Sequence, residues 1–155
     1  MQLSHVSPGE VRAVAQAMRE RDLAEFSAVL PYDTRAEIAE WMALAYGNRI
    51  GLLVAGLHGV PICVGGAVET RPGSAALAFV ATDRFREIAL PMTRFIRNTY
   101  FPNLRMTGVH RIECVTHAAY RTMHRWLETL GMRREAEFEA YGKRGETFIQ
   151  YARVH

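Results

Sequence analysis

The sequence is short of several things, and each shortage narrows what the chain can be. Its 155 residues contain only two cysteines, Cys63 and Cys114. Both lie in apolar, strand-like runs, so they read as two buried reduced thiols, which suits a reducing, cytoplasmic compartment. No stretch carries five or six like charges; 19 Lys and Arg are interspersed with 16 Asp and Glu, for a net charge of +3. Such a balance does not imply nucleic-acid binding. The six histidines lack ligand spacing on one face and no cysteine pair is near them, so no metal site is expected. Repeats, low-complexity runs and linkers are missing, and Met1–Glu10 lacks the basic and apolar regions of a signal peptide. One long apolar run exists, residues 50–68, in which His58 is the only plainly polar side chain. It contains five glycines and Pro61, with His58-Gly59 near its middle. That pattern predicts a strand–turn–strand hairpin rather than a membrane span.

With 49% hydrophobic and 23% charged residues, the chain reads as one globular domain spanning residues 1–155. Its organising stretch is His110 to Met132. Arg111–Val115 alternates as a strand, with Ile112 and Cys114 on one face and Arg111 and Glu113 on the other. Thr116 is placed to cap a helix in which Ala119, Met123, Trp126, Leu127 and Leu130 form one apolar stripe. Gly131 ends that helix, and residues 134–141 read as strand again. Upstream, residues 2–6 form a short strand. Ser7-Pro8-Gly9-Glu10 is a capping box opening a helix with Val11, Val14, Ala15 and Met18 inward. Residues 23–29 add a turn or two of helix before Pro31. Thr34–Glu37 is a second capping box, for a helix burying Ile38, Trp41, Met42 and Ala45. Strands follow at 49–57, 60–70 and 75–82, with a turn at Arg71–Ser74. A helix lies within Asp83–Tyr100, burying Ile88, Met92, Phe95 and Ile96; it starts or kinks near Pro91 and is closed by Pro102. Residues 147–154 form the last strand. The order is one strand, two or three helices, three strands, helix, strand, helix, two strands, which is a mixed α/β layer.

This order resembles the GNAT acyltransferase (acyl-CoA N-acyltransferase) fold, a mixed central sheet with helices on both faces. Residues 125–132, RWLETLGM, look like that family's closing helix. More narrowly, residues 18–22 with Glu25, the ALAFVATD strand end and the RWLETLGM helix resemble GNAT-like proteins of tailed phages and prophages, some of them internal virion proteins. The resemblance implies an N-acetyltransferase that uses acetyl-CoA on a small-molecule or protein amine. It also implies an alternative, a catalytically inactive interaction protein with virion components as partners, located in the virion rather than the cytoplasm. Pairing of late strands into a homodimer belongs to the same resemblance. Cofactor contacts are implied at Val80, Ala81 and Thr82 and in the phosphate-binding stretch Arg84, Arg86, Glu87 and Ala89. There Arg84 and Ala89 match the family pattern, whereas Glu87 stands where it has a central glycine; as a solvated first helical turn, the same residues need no ligand. The family's tyrosine and asparagine positions are held by Leu127 and Tyr120. Direct attack by an amine would leave Glu69 or Glu113 as base and Tyr120 as acid. Read structurally instead, Glu113 pairs with an arginine, and His117 and His124 lie on a solvated helix face.

Overall fold

The computed structural model describes residues 1–155, beginning with strand β1 (Gln2–His5) and helix α1 (Pro8–Gln16). The Ser7 capping box forms: Ser7 Oγ accepts from the Glu10 N–H at 3.4 Å, and the Glu10 carboxylate accepts from the Ser7 N–H at 3.1 Å. Two donors orphaned by the first turn are thereby satisfied. Helix α2 (Glu20–Val29) starts three residues before the expected Leu23, with Glu20 and Asp22 in the first turn, where the partial positive charge of the helix end favours acids. Helix α3 (Arg35–Tyr46) is capped by Thr34, which accepts from the Glu37 N–H at 3.3 Å. Its Glu37 carboxylate accepts the Thr34 hydroxyl at 2.6 Å, as the Glu10 carboxylate accepts the Ser7 hydroxyl at 2.9 Å. Ile38, Ala39, Met42 and Ala43 are buried, while Trp41 and Ala45 lie half-buried at the edge.

The long apolar run folds as strands β2 (Leu52–Leu57) and β3 (Val60–Arg71). His58 (φ 51°) and Gly59 (φ 77°) are both left-handed, as a two-residue hairpin turn that follows strand twist requires. Strand β4 (Ser74–Ala81) follows the Pro72-Gly73 turn, with Gly73 at φ 75°. Strands β5 (Arg111–His117), β6 (Arg133–Phe138) and β7 (Phe148–Val154) complete a seven-stranded sheet in the order β1-β2-β3-β4-β5-β7-β6. Pairing is parallel between β4 and β5, at Ser74 to Ala76 with Arg111 to Glu113, and antiparallel in β1–β2, β2–β3, β5–β7 and β6–β7, so the sheet is mixed.

The chain resolves into two compact units, Met1–Val68 with Ala78–Leu90, and Glu69–Leu77 with Pro91–His155. In the first, α1 and α3 pack on each other and bury Val11, Val14, Ile38 and Met42 against Val54, Val64 and Val80. No helix anywhere in the chain is long and apolar enough to cross a membrane. Both cysteines are free; Cys63 is buried and Cys114 half-buried, and burial pushes the Cys63 thiol up to about 12.

The segment after β4 departs from expectation. In place of one helix there is a 3₁₀ turn (Asp83–Glu87), helix α4 (Ala89–Phe95), a π turn (Ile96–Tyr100) and helix α5 (Phe101–Met106). Pro102 does not close the helix. It sits in the first turn of α5, where its missing N–H costs least, and the π turn, with the Phe101 N–H donating to Ile96 O, carries the chain past it. Thr116 does not cap a helix either. Its pairing with Ile149, and that of His117 with Phe148, extends β5 to His117, and Thr116 is only 1% exposed.

Helix α6 (Arg121–Thr129) therefore begins late, and Ala119 is exposed in the turn ahead of it. The helix buries Leu127, followed by Leu130, and Trp126 Nε1 donates to Thr93 Oγ1 at 2.9 Å. At its end Gly131 (φ 83°) donates to Glu128 O at 2.9 Å and Met132 to Leu127 O at 3.0 Å, the paired bonds of a Schellman cap. The apolar stripe is thus narrower than its spacing suggested, with Leu127 at its centre. Leu127→Ala should cost about 2–5 kcal/mol in urea denaturation, and a loss below about 1 kcal/mol would show that the α6 stripe is not core.

Candidate functional site

The end of β4 is where short-range chemistry and chain topology meet. Past α1 the chain turns back, and Met18 makes an isolated antiparallel bridge to Thr82. The Arg19 N–H donates to Ala81 O at 2.9 Å, and the Ala81 N–H donates to Asp22 Oδ2 at 3.0 Å. Asp22 is only 3% exposed, which would be costly for an unpaired carboxylate. It is held by Arg19 as a fork, with Nε to Oδ2 at 3.0 Å and Nη2 to Oδ1 at 2.9 Å. The Arg19 guanidinium also lies over the rings of Phe79 and Phe85, at 5.7 and 5.6 Å, and these rings meet edge-on. Arg35 binds Met18 O and Glu20 from the other side. The Thr82 N–H is taken by Ile62 O at 2.9 Å. The β4 end is thus fixed on both edges by main-chain and carboxylate partners.

One polar group there is left over: Thr82 Oγ1 is buried and has no hydrogen-bond partner. The 3₁₀ turn then carries Arg84, Arg86, Glu87 and, after Ile88, Ala89. Glu87 turns towards Arg84, which donates through Nε at 2.8 Å and Nη2 at 2.9 Å. The Arg84 guanidinium holds the Glu87 carboxyl below the usual carboxylate range, with Arg86 and His58 adding to the effect. Arg86 is exposed and unpaired, so it is the free cation of this turn. Val80 and Ala81 are buried, and both main-chain groups of Ala81 are occupied as described. No group of three His, Cys, Asp or Glu side chains could hold a metal ion.

The catalytic candidates are not brought together. The Glu69 carboxylate accepts from the Gly73 N–H at 3.2 Å, bracing the β3–β4 turn. Glu113 accepts from Arg111 at 2.5 Å and from Arg71 at 2.7 Å, and Arg111 also grips Glu135. Those guanidiniums hold Glu113 below the usual carboxylate range, which makes it a poor base. Glu113 is the third residue of β5, whereas Tyr120 follows its last residue. Four residues of strand put roughly 13 Å between Glu113 and His117. Tyr120 stands at the N-terminus of α6, its phenolic oxygen buried and its ring 5.9 Å from that of His117. His117 and His124 are not solvated residues of one helix face: His117 ends β5 and accepts the Ala119 N–H on Nδ1 at 3.0 Å, shaping the turn into α6. His124 is half-buried and donates from Nε2 to His117 O at 3.1 Å. The Arg19–Asp22 clamp carries no local sequence signal, since nothing in residues 18–22 says that their partner is Ala81.

No family model and no curated protein matches this sequence. Solved structures do match the fold. A ribosomal-protein-alanine N-acetyltransferase from Brucella melitensis superposes with TM-score 0.72 over 100% of both chains, at 14% identity. A GNAT-family acetyltransferase from Bacillus anthracis gives 0.71 over 98% of this chain and 93% of its own, at 15% identity. A GNAT-superfamily phosphinothricin acetyltransferase from Sinorhizobium meliloti, solved in complex with AcCoA, gives 0.70 over 99% and 87%, at 14% identity. The chain has the GNAT fold, and at these identities the likeness is one of fold.

The Glu113 pairs carry a pH signature. A carboxyl whose folded pKa is depressed stabilises the protein above its unfolded pKa, and that stability is lost as pH falls through the folded value. Wild type should therefore lose its advantage over Glu113→Gln as pH drops below about 4.3, the ordinary glutamate value. Urea midpoints of the two proteins from pH 7 to 3 measure this, and a constant difference between them would remove the ion pairs from the account.

Proposed function

We propose that this GNAT-fold chain is an acetyl-CoA-dependent N-acetyltransferase acting on a small-molecule or protein amine. The observation that carries the reading is the turn after β4. Its Arg84, Arg86 and Ala89 stand in the resemblance's phosphate stretch, and the buried, unsatisfied Thr82 hydroxyl lies at its entrance. Residues Thr82 to Ala89 fit a pyrophosphate in one respect: Arg86 is exposed, without an ion pair, and free to pair with it. Acetyl-CoA would supply the acyl group already activated as a thioester. Main-chain atoms of Ala81 are taken by Arg19 and Asp22, so Val80, Ala81 and Thr82 serve by fixing where the turn starts. Glu69 and Glu113 serve the fold. Tyr120 holds the candidate acidic proton, on a phenolic oxygen shielded from solvent.

The second reading, a GNAT fold without transfer, is favoured by one contact. The Arg84–Glu87 fork puts a carboxylate where phosphate would need a cation, and spends Arg84 on it. Calorimetric titration of wild type and Glu87→Gln with acetyl-CoA and with free CoA separates the two. Transfer activity predicts micromolar binding, tightened about tenfold in Glu87→Gln because a charge-assisted donor is released. In the same assay series, Tyr120→Phe should bind as wild type and transfer about 10²–10⁴-fold more slowly to an amine. No heat at millimolar ligand from either protein would leave the non-catalytic reading standing.

A further inference from the structure

Arginines that are scattered in the sequence converge on the helices of the second unit. Residues 91–106 and 121–129 carry Arg94, Arg97, Arg105, Arg121 and Arg125 against a single acid, Glu128, which already accepts the Tyr151 hydroxyl at 3.3 Å. All of these arginines are exposed, and none makes an ion pair or a side-chain hydrogen bond. Elsewhere Arg12, Arg71, Arg84 and Arg134 are each spent on a neighbouring glutamate, whereas Arg49, Arg86 and Arg133 are exposed without an ion pair but lie outside these helices. The Trp126–Thr93 hydrogen bond sets α6 beside α4. Packed helices lie about 8–10 Å apart. On α6, Arg121 and Arg125 are i and i+4 and share the face opposite buried Leu127 and Leu130. Arg94 lies opposite buried Met92 and half-buried Ile96 on α4, and Arg97 follows it by one turn. Each pair of guanidiniums thus lies away from the buried side of its own segment, and the two segments are neighbours.

The chemistry around them selects among anionic partners. The large exposed apolar side chains Leu90 and Met106 stand at the two ends of the first segment, and none lies between them or along 121–129, so the arginine face itself carries no apolar anchor of the kind a protein interface or a membrane insertion uses. Its other exposed polar groups include Asn98 and Thr122, side-chain types that commonly contact phosphate and sugar. No exposed aromatic offers a stacking platform there, which argues against base reading. We infer that the face bearing Arg94, Arg97, Arg121 and Arg125 binds the phosphodiester backbone of a nucleic acid without regard to sequence. Local charge counting did not imply such a partner because no run of arginines exists; folding assembles the patch.

Fluorescence anisotropy of labelled duplexes of about 20 base pairs, RNA and DNA in parallel, tests this between about 50 and 200 mM KCl. Four phosphate contacts predict a slope of log K against log salt of about −3 to −4. The double variant Arg97→Glu/Arg125→Glu should lose at least about 30-fold in affinity and roughly two units of that slope. The control Arg49→Glu/Arg133→Glu, with the same charge change elsewhere, should lose less than about threefold. Circular dichroism melts identical to wild type confirm that both variants fold. Binding to either duplex in this pattern supports the inference, and a preference between RNA and DNA names the source of the backbone. No binding at low salt, equal losses in the two double variants, or equal affinity for polyglutamate of matching charge would overturn it.

Discussion

The buried fork between Arg19 and Asp22 is the constraint on which the rest of the first unit depends. Asp22 sits 59 residues before Ala81 and holds its N–H, while the Arg19 main chain holds its carbonyl. A buried pair of this kind contributes little net stability against an apolar replacement. Removing one partner, however, leaves a charge stranded and typically costs about 3–5 kcal/mol. Its effect is therefore positional. It joins the α1–α2 connection to the strand end, brings Phe79 and Phe85 against the guanidinium, and determines where β4 stops and the 3₁₀ turn begins.

That placement bears on function in two opposite ways. It places the turn with Arg84 and Arg86 directly after the strand end, where the proposed reading needs a phosphate-binding turn, with an unsatisfied Thr82 hydroxyl beside it. It also fills the Ala81 main-chain groups from within the protein, so a ligand at this strand end would find its first open donors in the turn itself. Glu87 then sets the balance, because its charge is already neutralised by Arg84. A ligand phosphate would compete with a bidentate ion pair at the surface, and such pairs are individually weak, about 0–1 kcal/mol. The competition is within reach of an anion carrying two charges.

Features governed by local chemistry were legible in the sequence. The Ser7–Glu10 capping box, the His58-Gly59 turn and the Gly131 stop each follow from what a few adjacent residues can do, and the element order that carries the fold followed from them. What was not legible depends on distant partners. Thr116 has a capping residue's chemistry, yet β7 pairs past it and keeps it in the strand. Pro102 breaks a regular helix but not one with a π turn ahead of it. Glu113 was readable as an ion-pair residue, though which arginines would flank it was not. Residues 18–22 look like an ordinary polar break between helices until Ala81 is placed against them.

The measurement that bears most directly on this account is NMR-detected hydrogen exchange at the Ala81 amide, in wild type and in Asp22→Asn. If the clamp fixes the strand end, the wild-type amide exchanges only through global unfolding, and the variant exposes it through a local opening of much lower free energy. A wild-type Ala81 amide that exchanges as fast as those of exposed turns would contradict the account, because the turn after β4 would then have no fixed place from which to bind anything.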